Sequence, residues 1–287
     1  MADLRIVIVD DSPFSIAVIR GVLEDAGFEV VGEASSLEEV KEVVQRTKPN
    51  LVTMDMTLPG TDGLECTRAI HSIDNTIKVI IISSMMDDEI VQEAKKNKAS
   101  GYIQKPVDSD ELLTLVHRIM DHEELFLSLD SEFSDAFKEA LLDGINKMTK
   151  SLLYFKEESF HHEEHSSAGL TIIMGIIGGF SGRMLLDMKM ETAGRIASAV
   201  LKRIPSGNEE ILAVIGELAN IISGNSCSIL NRKNKAYGLR VAPPTIMHGE
   251  QVHISAPSYK TFSALAETDF GDIMINVGFQ RGDDHWM

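Results

Sequence analysis

Short apolar runs alternate with amphipathic segments over the first 120 residues. Phe14, Val18 and Val22 recur at every fourth position, as on one face of a helix. Ser36 and Glu39 have the spacing of a capping box at the start of a second helix. The apolar runs, which suit strands buried on both faces, are residues 4–9, 29–31, 51–54, 79–82 and 102–104. Five such strand–helix units predict a doubly wound α/β domain.

The hydrophobic pattern changes after an acidic stretch at 123–132 that we interpret as a linker. Apolar and polar residues alternate over 183–190 and again over 273–279, as they do in strands with one buried face. A long helix is predicted from about Glu209, with Ile215, Leu218 and Ile222 on one face. We therefore predict an α/β domain at 1–122 and an α+β domain at 133–287.

The charge of the chain and its few cysteines limit the partners and the compartment that we expect. The net charge is −17, with 12 basic and 24 acidic residues up to Leu125 and 15 and 20 beyond it. Both parts should therefore repel duplex DNA and anionic membranes, and no helix-turn-helix pattern is present. The two cysteines fall in different predicted domains, and the first ten residues lack the basic region of a signal peptide. We expect a cytoplasmic protein with no DNA or membrane partner.

Polar residues follow the predicted strands of the first domain in a coherent set. Asp10 and Asp11 follow the first strand and Asp55 ends the third. Ser83 ends the fourth strand and Lys105 follows the fifth. Chemistry in such sheets lies beyond the carboxyl ends of the strands, so these side chains should converge. Crowded carboxylates need a cation such as Mg²⁺, and a carboxylate can accept a phosphoryl group.

This set resembles the CheY-like receiver family over residues 3–121. The matching segments are residues 9–12, 54–60, 82–84 and 102–106. The resemblance implies a flavodoxin-like (βα)₅ fold in which a histidine kinase phosphorylates Asp55. It also implies a switch formed by Ser83 and Tyr102, and a role for Lys105 beside the phosphoryl group. The implied Mg²⁺ ligands are Asp10, Asp11, Asp55 and the carbonyl of Thr57.

A second motif lies on the long predicted helix. Glu217 and Asn220 are three residues apart and so share a helix face, and Pro243 follows after 22 intervening residues. With the predicted hairpin at 167–182, this resembles the CheX/CheC/FliY family over about 133–285. That motif is Asp or Ser, three residues, Glu, two residues, Asn, 22 residues and Pro. Ala213 departs from it, because the family has Asp or Ser there.

The second resemblance implies a phosphatase acting on the aspartyl phosphate of a receiver protein, with Glu217 and Asn220 as catalytic residues. Asn220 would hold a water in line with phosphorus, and Glu217 would pair with the lysine of the substrate receiver. The substrate would supply the Mg²⁺, and it would be another CheY-like receiver or the attached one. The family also implies a homodimer, formed through sheet edges or the long helix.

Other interpretations stay open at this point. A helical Glu-x-x-Asn pair can occur by chance, and Asn220 could approach a helix C-cap. The second domain could then be a non-catalytic dimerisation or adaptor module under receiver control. The tract from His161 to His165 invites a metal interpretation, but its order is not His-Glu-x-x-His, so a solvated loop is favoured.

Overall fold

A computed structural model describes residues 4–85, 88–161, 164–249 and 252–282 of the chain. The chain forms two compact units, which divide between His122 and Glu123. Each unit has its own sheet and its own hydrophobic core.

The first unit is the predicted doubly wound domain. Its five-stranded parallel sheet has the order β2-β1-β3-β6-β7, with one apolar core on each face. The strands β1, β3 and β6 are buried almost throughout, in agreement with their continuous apolar runs. Its elements are β1 (Arg5–Val9), α1 (Pro13–Asp25), β2 (Glu29–Ala34), α2 (Leu37–Thr47), β3 (Leu51–Asp55), β4 (Thr57–Leu58), β5 (Thr61–Asp62), α3 (Gly63–Ile73), β6 (Lys78–Ser83), α4 (Asp88–Lys96), β7 (Gly101–Gln104) and the first part of α5 (Ser109–Thr149).

Local polar contacts explain where the first two helices begin. Ser12 caps α1, and its hydroxyl accepts a hydrogen bond from the Ser15 amide. Ser36 caps α2 in the same way, accepting from the Glu39 amide. The Glu39 carboxylate accepts from the backbone amide of Ser35 at 2.7 Å, so the predicted box closes one residue before the cap.

The acidic linker predicted at 123–132 is helix instead. Helix α5 runs without interruption from Ser109 to Thr149 and includes the whole of this stretch. Phe126 and Leu129 are buried in the core of the second unit, together with Phe133 and Phe137 further along the helix. The apolar period therefore begins earlier than predicted, and the acidic residues between these positions obscured it.

The second unit is α+β, as predicted. Its antiparallel sheet has the order β12-β10-β11-β16-β15-β8, β13 also pairs with β10, and β9 pairs with β14. One sheet face packs against α6, α7 and the end of α5 in a single core. After α5 come β8 (Leu153–His161), β9 (His165–Ser166), β10 (Leu170–Ile177), β11 (Gly182–Met188), α6 (Met190–Leu201), α7 (Asn208–Lys233), a 3₁₀ turn (Lys235–Tyr237), β12 (Arg240–Val241), β13 (Thr245–His248), β14 (His253–Ile254), β15 (Thr261–Thr268) and β16 (Gly271–Phe279).

Helix α7 is the long helix that the apolar period predicted. Ile215, Leu218 and Ile222 are fully buried on its inner face. It is also long and apolar enough to span a membrane by length and composition alone, with 44% of its most apolar window buried. Because a core helix of a soluble protein meets the same test, this is weak support for a membrane span.

Candidate functional site

The sheet of the first unit gathers three carboxylates at the carboxyl ends of two neighbouring strands. Asp10 and Asp11 follow β1, and Asp55 is the last residue of β3. One ligand oxygen from each lies within 4.8 Å of the others. Asp11 is exposed, whereas Asp10 and Asp55 retain only 1% and 8% of their accessible surface. The predicted convergence is therefore present, with Asp10 and Asp55 recessed and Asp11 at the surface.

Lys105 neutralises part of this charge. Its Nζ lies 2.9 Å from Oδ2 of Asp10 and 3.0 Å from Oδ1 of Asp55. Burial raises the pKa of the Asp55 carboxyl, and the hydrogen bond from Lys105 opposes that rise without cancelling it. Burial alone would lower the pKa of Lys105, but its bonds to Asp10 and Asp55 outweigh burial and raise it. Lys105 is therefore firmly cationic at neutral pH.

The donor set fits a hard divalent cation. All three side chains offer carboxylate oxygens, which Mg²⁺ prefers, and one oxygen of Asp10 already accepts from the Ser12 amide at 2.8 Å. The cluster contains three carboxylates, and Lys105 is the cation that contacts them among the described residues, through Asp10 and Asp55. Mg²⁺ held by Asp10, Asp11 and Asp55 would offset the remaining negative charge.

The residues predicted to form a switch meet at one loop. Ser83 is buried, and its hydroxyl accepts a hydrogen bond from the Met85 amide at 3.2 Å. The Tyr102 hydroxyl donates to the Met85 carbonyl. Ser83 and Tyr102 therefore both bind the segment after β6, directly before the undescribed residues 86–87.

Thr57, the predicted carbonyl ligand, is exposed in a two-strand hairpin where it pairs with Asp62.

The second candidate site lies on the outer face of α7. Glu217 and Asn220 are both exposed, opposite the buried residues of the same helix. In the part of the chain that the structure describes, neither side chain makes a hydrogen bond or an ion pair. Asn220 is not near a C-cap, because α7 continues to Lys233. Folding therefore leaves both polar side chains available to a partner.

Pro243 lies at an irregularity of the sheet on which α7 packs. Val241 pairs with Ile176 of β10, but Thr245 pairs with Ile173, so the two ladders differ by one residue. Pro243 and Pro244 consequently share one opposite residue, Met174, as in a β-bulge. Proline suits this position because it has no amide proton to donate to the ladder.

Comparison with known proteins identifies both halves. The family model for the response regulator receiver domain matches residues 6–117. The model for the chemotaxis phosphatase CheX matches residues 170–266. Protein CcdB of Bacillus subtilis is 36% identical over 118 residues, covering 41% of this chain and 98% of that protein. The chemotaxis protein CheY of Thermotoga maritima is 34% identical over 115 residues, covering 40% and 96%. The chain belongs to the response regulator receiver family. Its second unit carries a CheX domain.

Solved structures include similar proteins for each half. A chemotaxis protein CheX from Desulfovibrio desulfuricans has a TM-score of 0.48 at 17% identity, covering 52% of this chain and 99% of that one. A CheX–CheY–BeF₃–Mg²⁺ complex from Borrelia burgdorferi has a TM-score of 0.38 at 28% identity, covering 39% and 84%.

One residue of the receiver site was not anticipated from the sequence. Gly63 begins α3, and its amide donates to the Met56 carbonyl at 2.9 Å. A Cβ on Gly63 would lie 2.5 Å from the carbonyl oxygen of Asp55, closer than a methyl group tolerates. Gly63 therefore lets the loop after β3 pack tightly against the end of that strand. The available signal was the Asp-Gly pair at a strand-to-helix turn.

The histidine tract of the CheX domain is divided between two strands. His161 ends β8 and His165 begins β9, while His162 and Glu163 lie outside the described residues. Nε2 of His165 lies 3.3 Å from Oδ2 of the buried Asp187. Asp187 accepts hydrogen bonds from the Thr171 hydroxyl at 2.6 Å and the Ala168 amide at 3.0 Å. These bonds fix the segment before β10, and His165 lies beside them without a hydrogen bond of its own to Asp187.

Proposed function

We propose that this protein is a response regulator whose phosphorylation on Asp55 controls an aspartyl-phosphate phosphatase. The receiver would occupy residues 1–122, and the phosphatase domain would use Glu217 and Asn220. The substrate would be a phosphorylated receiver, either a separate CheY-like protein or the attached one. The CheX family match and the exposed pair on α7 support the phosphatase half of this proposal.

The input reaction follows from the recessed carboxylate. An oxygen of Asp55 would attack the phosphorus of a phosphohistidine on the kinase, forming an O–P bond as the N–P bond breaks. Lys105 lies where its charge would offset the charge of the transferred group. Ser83 would donate to a phosphoryl oxygen. Bound at Asp10, Asp11, Asp55 and the Thr57 carbonyl, Mg²⁺ would supply electrostatic stabilisation of the phosphoryl oxygens.

The output reaction needs little from the enzyme. An acyl phosphate has a carboxylate as its leaving group, so no general acid is required. The Asn220 carboxamide has both donors and an acceptor, and could orient a water for attack on phosphorus. The P–O bond to the substrate aspartate would break, releasing inorganic phosphate. Glu217 would pair with the substrate's lysine, the counterpart of Lys105, and set the docking angle.

The phosphatase proposal depends on the exposure of the Glu217 and Asn220 side chains and on their lack of partners in α7. Both are exposed, they share a helix face, and no contact among the described residues explains either of them. Surface side chains without partners are common, so exposure alone does not indicate a site. Glu217 and Asn220 support the proposal because they lie within a CheX domain.

Phosphate release from a separate CheY-like receiver tests the proposal. The receiver would be phosphorylated with acetyl phosphate and mixed with the full chain carrying Asp55→Asn, which silences its own acceptor. We expect faster release than from the receiver alone, and loss of about 10²-fold of that acceleration with Asn220→Ala. Asn225→Ala, a neighbouring exposed asparagine on another face of α7, is the matched control and should keep full activity.

Failure of this assay with the separate receiver would direct the test to the attached one. There, the lifetime of the phosphate on Asp55 is compared between the wild type and Asn220→Ala. A lifetime indifferent to Asn220, after no acceleration in trans, would remove catalysis from the proposal.

A non-catalytic adaptor is the second candidate, and one observation favours it. Strand β8 is at an edge of the sheet and pairs with β15 among the described strands. Its Tyr154 and Phe160 are 64% and 50% exposed, which suits pairing with a second copy. A homodimer through this edge could act as a receiver-controlled docking module. Such an adaptor should keep its partner binding with Asn220→Ala, whereas the phosphatase should lose its activity.

The proposed setting is the cytoplasm, with a histidine kinase as upstream partner. The net charge of −17 makes DNA and anionic membranes poor partners. Gel-shift and liposome-flotation measurements with the full chain would contradict this if either surface bound it at physiological salt.

A further inference from the structure

Gly224 is a helix glycine that packing does not explain. It lies in the interior of α7, and a Cβ added there would meet nothing within 4 Å. Glycine is the least favourable helix residue except proline, so alanine should be preferred if folding were the only requirement. Other helix glycines of this unit differ. A Cβ would lie 3.2 Å from Ile246 at Gly216 and 3.1 Å from Ile222 at Gly144.

The position of Gly224 connects it to the candidate catalytic pair. It follows Asn220 by four residues, about 6 Å along the helix axis and on nearly the same face. Ala213 stands four residues before Glu217 on that face and is also exposed. The outer row of α7 thus has two functional side chains in the middle and the smallest residues one turn away on either side.

A short side chain that must enter a recess needs clearance beside it. In the receiver unit of this chain the acceptor Asp55 keeps 8% of its accessible surface, so a partner group has to reach inward to meet it. Asparagine is short, so the α7 backbone would have to approach the substrate closely. A leucine at 224 would extend as far from the helix as Asn220. It would contact the substrate surface beside the recess before Asn220 could enter.

We propose that Gly224 is a positioning residue that provides this clearance, and that it sets the depth to which Asn220 enters the phosphoacceptor recess of the substrate receiver. The inference rests on the proposed phosphatase function. It concerns close approach of the helix and assigns no chemical step to Gly224.

The test compares variants of the full chain carrying Asp55→Asn, with a separate phosphorylated CheY-like receiver as substrate. Gly224→Leu should lower kcat/KM by about 10²-fold. The loss should appear mainly in KM because docking itself is obstructed, whereas Asn220→Ala should act mainly on kcat. Gly224→Ala should lose less activity, while its midpoint of thermal unfolding stays equal or rises.

Two controls separate clearance from a general effect of leucine. Asn225→Leu places the same bulk on the next residue of α7, about 100° around the helix. Gly21→Leu makes the same chemical change in α1 of the receiver unit, where an added Cβ also meets nothing within 4 Å. Both should keep KM within about twofold of the parent, as surface substitutions usually do.

The outcomes are distinct. An active parent whose KM is unchanged by Gly224→Leu would overturn the clearance role and leave the proposed function standing. An equal KM rise with Asn225→Leu would also overturn it, since bulk anywhere on the helix would then suffice. If the parent does not act on the separate receiver, and the phosphate lifetime on Asp55 of the otherwise wild-type chain is indifferent to Asn220→Ala, the proposed function is overturned, and this inference with it.

Discussion

The two candidate sites differ in how far each is complete. In the receiver, Lys105 bonds to both Asp10 and Asp55. Burial raises the pKa of Asp55, whereas the bonds to the two carboxylates outweigh burial and raise the pKa of Lys105. On α7, Glu217 and Asn220 are exposed and make no bond within the described structure. The three carboxylates and the lysine of the receiver cluster lie within one fold. We infer that the α7 pair is half of a site, and that a second protein surface supplies the other half.

Substitutions in the two candidate sites should therefore act on different properties of the protein. Changes in the receiver site alter charge, protonation and stability together, because the groups share hydrogen bonds. Changes of Glu217 or Asn220 should leave stability nearly unchanged and act on encounters with the substrate. Parallel measurements of the free energy of unfolding and of phosphatase activity would therefore distinguish the two sites.

The largest effect is expected at Asp55. Asp55→Asn should abolish phosphorylation by acetyl phosphate in the presence of Mg²⁺, because a carboxamide cannot replace the carboxylate nucleophile. Intact-protein mass spectrometry measures the added phosphate. Asp25→Asn, an exposed carboxylate at the end of α1, should be labelled like the wild type. A label that persists in Asp55→Asn would mean that a neighbour such as Asp11 is the acceptor.

The next effect concerns the scaffold that carries the α7 pair. Leu129 is fully buried in the core of the second unit, so Leu129→Ala should lower the free energy of unfolding by about 3 kcal/mol. Leu127 is 52% exposed on the same helix, and Leu127→Ala should change it by no more than about 0.5 kcal/mol. Denaturant unfolding of the full chain measures both. Equal and small effects would restore the linker interpretation of 123–132.

Several features of the fold and of the candidate sites could be predicted from the sequence. Continuous apolar runs identified the parallel strands, and strand ends identified Asp10, Asp55 and Lys105. The spacing of Glu217 and Asn220 placed both side chains on one face of the predicted helix. In each case one segment carries the signal by itself, so no knowledge of tertiary contacts was needed.

The missed features depend on contacts between distant residues. Phe126 and Leu129 looked like isolated apolar residues among acidic ones, and only the core of the second unit gives them partners. The bulge at Pro243 exists because β12 and β13 both pair with β10 in different registers. Gly63 matters because α3 begins against the carbonyl of Asp55. None of these partners can be inferred from the local pattern.

A smaller effect follows from the raised pKa of Asp55. A carboxyl whose pKa is higher in the folded state stabilises the fold fully only below its unfolded value of about 4, and loses that contribution as pH rises through the folded value. Asp55→Asn should therefore be more stable than the wild type at pH 7 without Mg²⁺, by about 1 kcal/mol.

The effect of Asp55→Asn on stability should depend on pH. The stability gain of Asp55→Asn should shrink as pH falls towards 4, since the wild-type carboxyl then becomes neutral as well. Denaturant unfolding with EDTA, repeated between pH 4 and 7.5, measures it. The same series for Asn220→Ala should show no such trend. A stability difference that stays constant with pH would mean that burial of the Asp55 charge does not destabilise the receiver.

The smallest effect is expected at Ala213, where the chain departs from the CheX/CheC/FliY motif. Ala213→Ser restores a residue that the motif allows, at an exposed position one turn before Glu217. Because Asn220 and Glu217 can reach a partner without it, kcat/KM should change by no more than roughly twofold, the equivalent of about 0.5 kcal/mol. Phosphate release from the separate receiver measures it, with Glu217→Ala as the reference for a real loss. A tenfold gain with Ala213→Ser would instead show that α7 of this chain lacks a third functional side chain, and that its half of the site is weakened.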